Sequence, residues 1–63
     1  MRQYWQFNFY VDGRQKTRYF YGTPAAAERR AKRYTCDSRE LRRLSKSKAQ
    51  YLKAEKNARF ITL

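Results

Sequence analysis

Sixty-three residues carry sixteen Lys and Arg against five Asp and Glu, a formal charge of +11, together with six Tyr, four Phe and one Trp. A chain this short makes one domain that buries only ~60 % of its unfolded surface, and with few aliphatics its core has to be built from rings. Cys36, the single cysteine, excludes a disulfide scaffold and suits a reducing, cytoplasmic setting. No apolar run approaches the ~18 residues of a membrane span, and Met1-Arg2-Gln3-Tyr4-Trp5 does not read as a signal peptide.

In chain order, residues 4–21 are rich in Tyr, Phe, Val and Thr, and Trp5, Phe7, Phe9 and Val11 alternate strictly, which predicts a β-hairpin turning at Asp12-Gly13. Two registers are open. A two-residue loop pairs Phe9 with Lys16 and Phe7 with Arg18, mixing rings and cations. A three-residue loop with a glycine bulge pairs Trp5 with Tyr19 and Phe7 with Thr17. It gathers Tyr4, Gln6, Asn8, Tyr10, Arg14, Lys16, Arg18 and Phe20 on the other face. Because a one-residue slip exchanges the faces, the segregated arrangement is preferred.

Thr23 and Pro24 read as N-cap and first position of a helix over residues 24–35, with Ala27, Ala31 and Tyr34 on one stripe. A second, longer helix over 38–58 is predicted from Asp37-Ser38-Arg39-Glu40, which has the form of a capping box with Cys36 and Leu41 as its hydrophobic staple. The absence of Gly or Pro between the two leaves a continuous bent helix open. Its face of Arg39, Arg42, Arg43, Lys46, Lys53 and Lys56 would extend roughly 30 Å at 1.5 Å per residue. Opposite, Leu41, Leu44, Lys48, Tyr51, Glu55 and Ala58 follow a heptad-like spacing that could join two copies in a homodimer. Residues 60–63 form either a further strand or a frayed tail.

Catalysis has little to work with. There is no His, a lone Cys lacks an activating base, and the acids are scattered with no metal-ligand spacing or phosphate-cradling loop. The expectation is a protein that is not an enzyme and has neither cofactor nor metal. The cations carry the signal: residues 29–63 alone hold twelve against three acids, where mixed signs are usual on a merely solvated face. A polyanion is the expected partner, since neutralising phosphates releases condensed counterions. Arg29, Arg33, Arg39, Arg42, Arg43, Lys46 and Lys53 are the candidates for phosphate contact. Gln6 and Asn8, with Arg14 or Arg18, are the candidates for base contact from the sheet, Tyr10 is a stacking or interface candidate, and Lys16 shares their face.

Phe7-x-Phe9-Tyr10-Val11-Asp12-Gly13-Arg14, Tyr19-x-Tyr21-Gly22-Thr23 and Pro24-Ala25-Ala26-Ala27-Glu28-Arg29 resemble the small arm-site-binding domains of phage and transposon tyrosine integrases. They are also similar to the plant ethylene-response type of DNA-binding domain. The resemblance covers residues 7–34 and implies a three-stranded sheet lying in the DNA major groove, backed by one helix. It makes Arg14, Lys16 and Arg18 groove-facing and packs Ala27 and Ala31 on the sheet. A long basic helix after Asp37 has no counterpart there, and only residues 1–3 stand where the family has its first strand.

The sequence thus predicts an α+β domain: an aromatic hairpin, completed or not by the tail, on a short helix and followed by a longer basic one. The expected function is DNA binding, as a small regulator or accessory factor of phage type. An RNA-binding, ribosomal-like role and a module for an acidic protein partner are the alternatives.

Overall fold

Asp12 and Gly13 both take left-handed backbone, with φ of 53° and 76°, and so close a two-residue turn whose twist matches that of the strands it joins. The turn fixes the hairpin of β1 (Gln3–Val11) and β2 (Arg14–Gly22), in which Val11 faces Arg14, Phe9 faces Lys16 and Phe7 faces Arg18. The computed structural model describes residues 1–63 and shows an α+β fold of four strands and two helices. The register differs from the segregated one expected from sequence. A bulged three-residue loop would keep Trp5, Phe7 and Phe9 off the face that carries Arg14, Lys16 and Arg18, but the two left-handed positions decide the turn. The mixed face is tolerated because Arg14, Lys16 and Arg18 all remain exposed.

Side chains alternate across the sheet, giving a ring face and an amide face. On the ring face Phe7, Phe9 and Phe20 are buried, with Trp5, Val11, Leu41, Ile61 and Leu63 packed around them. Phe7 stacks on Phe9 with centroids 5.0 Å apart. Helix α1 (Pro24–Ala31) covers this face through Ala27 and Ala31, both buried, whose small side chains allow a close approach. Thr23 caps it as expected, its Oγ accepting from Ala26 N–H at 3.2 Å. The helix stops at Ala31, short of the predicted residue 35. Arg33 and Tyr34 donate to carbonyls three residues back, a tightened last turn that lays the Tyr34 ring 5.3 Å from Phe7 and 5.1 Å from Phe9.

The predicted helix over 38–58 is not formed as such. Ser38–Leu44 is instead strand β3, antiparallel to β1 from Tyr10↔Ser38 to Tyr4↔Leu44. A hairpin alone is marginal, and the free edge of β1 offers seven residues of pairing that outweigh the good helix propensity of Ser-Arg-Glu-Leu-Arg-Arg-Leu. Asp37 is not a helix cap. Its N–H donates to Tyr10 O at 2.8 Å and its carboxylate accepts from Asp12 N–H at 3.3 Å, tying the start of β3 to the hairpin turn. The Cys36–Leu41 staple falls with it, and both residues pack at the margin of the ring core.

The true second N-cap is Ser45, whose Oγ accepts from Lys48 N–H at 3.1 Å, opening α2 (Lys46–Glu55). Its buried Ala49 and Leu52 lie toward the amide face, where Lys53 Nζ sits 4.9 Å from the Tyr4 centroid and 5.3 Å from that of Phe60. Asn57, with φ of 53°, turns the chain back into β4 (Phe60–Thr62), which pairs parallel with β2. The tail is therefore a strand, and the sheet order is β3-β1-β2-β4. α1 carries the chain from β2 to β3 over one face; α2 carries it from β3 to β4, in the opposite direction over the other. Both crossovers consequently have the same hand, as expected of parallel connections. Gly22 is where the end of β4 closes in: a Cβ there would stand 2.9 Å from Leu63 Cβ.

Replacing Gly13 with Ala is expected to lower stability by about 1 kcal/mol, the cost of a side chain in left-handed backbone, and Gly13→Asn should cost less. Urea denaturation read by tryptophan fluorescence checks this; an Ala variant as stable as the parent would contradict the turn.

Candidate nucleic-acid interface

α2 occupies only the Tyr4 end of the amide face. Toward the hairpin turn that face presents Gln6, Asn8 and Tyr10 of β1, Gln15 and Thr17 of β2, and Ser38, Glu40 and Arg42 of β3, as the pairings place them. Tyr10 is 43 % exposed. The polar groups are ordered by one another: Asn8 Oδ1 accepts from Gln6 Nε2 at 3.1 Å and from Thr17 Oγ1 at 2.9 Å. Tyr10 Oη donates to Gln15 Oε1 at 3.4 Å. With its Oδ1 committed twice, Asn8 keeps its amide N–H groups for an outside acceptor.

Arg14, Lys16 and Arg18 do not share this face. Pairing with Val11, Phe9 and Phe7 puts them on the ring side, so the cations and amides expected to read together are separated by the thickness of the sheet. They line the part of β2 that precedes β4, whose pairing begins only at Tyr19. Residues 14–18 therefore form an unpaired edge. Arg18 is partly committed there: its Nη1 donates to Thr17 O at 2.8 Å and its guanidinium lies 5.7 Å from the Phe9 centroid. Cationic side chains along an open edge also discourage another chain from adding to it.

The remaining candidates do not form one continuous face, because the long helix that would have aligned them is absent. Arg39 and Arg43 project on the ring side of β3 and Arg42 on the amide side. Arg39 is held within the fold, its Nη1 donating to Ala31 O at 3.0 Å and its Nη2 to Tyr34 O at 3.2 Å. It thereby satisfies carbonyls at the C-terminal end of α1 with a positive charge the helix dipole favours. Arg42 Nε meets Glu40 Oε1 at 3.2 Å, both side chains exposed, a pair of small energetic consequence. Lys53 lies over the Tyr4 and Phe60 rings. Arg29 and Arg33, on and just after α1, are exposed, as are Arg43 and Lys46 at the junction of β3 and α2. The heptad seam for a homodimer is lost as well, since Leu41 and Leu44 belong to β3 and Tyr51 and Glu55 to α2.

Gln15 and Thr17 are members of this face that the segregated register leaves out; the two-residue register finds them, opposite Tyr10 and Asn8. Comparison with protein-family models, with curated proteins and with solved structures finds no match to this chain. No helix is long and apolar enough to cross a membrane.

Arg39→Ala is expected to cost about 1–2 kcal/mol, the range for hydrogen bonds to a charged group at a partly exposed site, and Arg33→Ala almost nothing. A thermal shift in the first variant but not the second separates the capping arginine from a solvated one.

Proposed function

We propose that this domain binds nucleic acid, duplex DNA before RNA, without catalysing a reaction. The observation that carries the reading is the charge left unmatched by the fold: of sixteen Lys and Arg only Arg42 makes an ion pair with a protein carboxylate. Asp37 is turned to the hairpin, so the scarce acids do little to neutralise the surface. Such a surplus opposes compactness by self-repulsion, and a polyanion relieves it while releasing its own counterions.

The register revises which residues read and which hold. Gln6 and Asn8, supported by Thr17 and flanked by Tyr10 and Arg42, are the base-contacting set: Gln6 keeps an acceptor and a donor for adenine in the major groove, and Asn8 keeps its donors. Arg14 and Lys16 on the open edge, with Arg29, Arg33, Arg43 and Lys46, are the phosphate-contacting set. The resemblance to sheet-based DNA-binding domains is kept for the hairpin half alone. α2 covers the other half of the amide face, leaving a narrower reading surface than a sheet backed by one helix. A reducing cytoplasm, which free Cys36 suits, is the proposed setting.

Titration of duplex DNA at several salt concentrations should give log K falling against log salt with a slope near −5 if about six phosphates are engaged; a flat response would contradict the proposal. Gln6→Ala should narrow the difference between preferred and unrelated duplexes, by roughly 1–3 kcal/mol of discrimination. Arg14→Ala with Lys16→Ala should weaken all sequences alike and lower the slope by about 2. A tighter and steeper titration with structured RNA would transfer the function to RNA. Capture of an acidic protein that survives nuclease treatment, with no nucleic-acid binding, would replace it.

A further inference from the structure

At the end of the sheet remote from the hairpin turn, β1 begins, β2 finishes and β3 gives way to α2. These segments border an open recess of about 700 Å³, within the size range of small-ligand sites. Arg2, Arg43 and Lys46 border it, Arg43 from the ring side of β3 at the end of the sheet, together with Tyr4 and Tyr21, and no acidic residue does. None of the three cations takes part in an ion pair, and none of their side chains is engaged in an intramolecular hydrogen bond. Arg39, Arg42 and Lys53, by contrast, each have a partner within the fold. The first turn of α2 adds to the imbalance, since it has no acid and begins with Lys46. Three cationic residues thus border one concavity without a counter-charge.

We infer that this recess takes a terminal phosphate monoester of a nucleic-acid strand. A phosphodiester within a strand carries one negative charge, whereas a monoester carries about −1.5 to −2 at neutral pH and offers three acceptor oxygens, which matches several converging donors better. Arg43 supplies a planar fork for two oxygens, and Lys46 and Arg2 supply further donors. The tyrosines, whose centroids lie 4.7 Å apart, add aromatic surface for the adjoining sugar and base. The lining separates this recess from the amide face near the turn, so the domain would recognise a strand end at one pole of the sheet and a duplex at the other. The inference rests on the nucleic-acid reading for the source of the phosphate.

The same short oligonucleotide is titrated with a 5′-phosphate, with a 3′-phosphate and with hydroxyls at both ends, alongside the free nucleoside monophosphate. The wild-type chain should bind one phosphorylated form about tenfold more tightly than the hydroxyl form, the scale of one or two charge-assisted hydrogen bonds. Arg43→Gln combined with Lys46→Gln should abolish that preference; because both also belong to the phosphate-contacting set, all three oligonucleotides should weaken to one common affinity, and an unchanged circular dichroism spectrum shows that the variant is folded. Equal affinity of the wild type for all three oligonucleotides overturns the inference and leaves the proposed function standing. Failure to bind any oligonucleotide, while the monophosphate binds and loses affinity in the variant, keeps the phosphate site but assigns it to a free nucleotide and overturns the nucleic-acid source. Failure to bind any of them overturns both.

Discussion

The two-residue turn at Asp12-Gly13 sets the pairing of the two longest strands, and every other element takes its side from that pairing. Because both turn residues hold left-handed backbone, Val11 must face Arg14, and the alternation then runs without a bulge to Gln3 and Gly22. Phe7, Phe9 and Phe20 are thereby brought to one face, where α1 can bury them. Tyr4 and Tyr21 are brought to the other, where α2 and β4 close over one end. Asp37 ties back to the turn, so the constraint that starts the hairpin also anchors the strand that flanks it.

Stability in so thin a molecule rests on few side chains. The buried apolar set is Phe7, Phe9, Phe20, Ala27, Ala31, Ala49 and Leu52, and three alanines among them contribute closeness rather than area. The rings supply most of the area removed from water, each on the order of 150–250 Å². Tyr34 seals them with its ring tilted against Phe7 and Phe9, and Trp5 reaches outward to donate from its indole N–H to Gly22 O at 3.1 Å. Cations contribute as well: Arg39 closes a helix, Arg18 lies over Phe9 and Lys53 over Tyr4 and Phe60. Part of the excess charge that suggests a polyanion is thus engaged in holding the fold.

Local chemistry makes the hairpin, the Thr23 cap and the alanine side of α1 readable from the residues, because each depends on neighbours within a few positions. The stretch 38–44 is not readable in this way. Its composition suits a helix, and its conformation is decided by the unpaired edge of β1, some thirty residues earlier in the chain. Taking it as helix places Arg39, Arg42 and Arg43 on a face that does not exist and conceals Ser45 as the real cap. The candidate site depends still more on the register. A single-residue difference moves Arg14, Lys16 and Arg18 away from Gln6, Asn8 and Tyr10, and nothing in the strand pattern alone weighs backbone preference at the turn against tidy segregation of charge. The alternation of rings is legible; the side on which the cations fall requires the turn.

The unpaired run of β2 before Tyr19 has a consequence for how copies of this chain meet. Gln15 and Thr17 turn their backbone groups outward there, and only Thr17 O is blunted, by Arg18. What otherwise keeps a second edge away is repulsion among Arg14, Lys16 and Arg18 and their counterparts. That barrier is electrostatic, with a range of about 8 Å in physiological salt, and any agent that neutralises the three cations also lowers it. Resistance to self-association and attraction to an anion are therefore opposite readings of one row of side chains, and saturating that row with counter-charge removes the protection it gives.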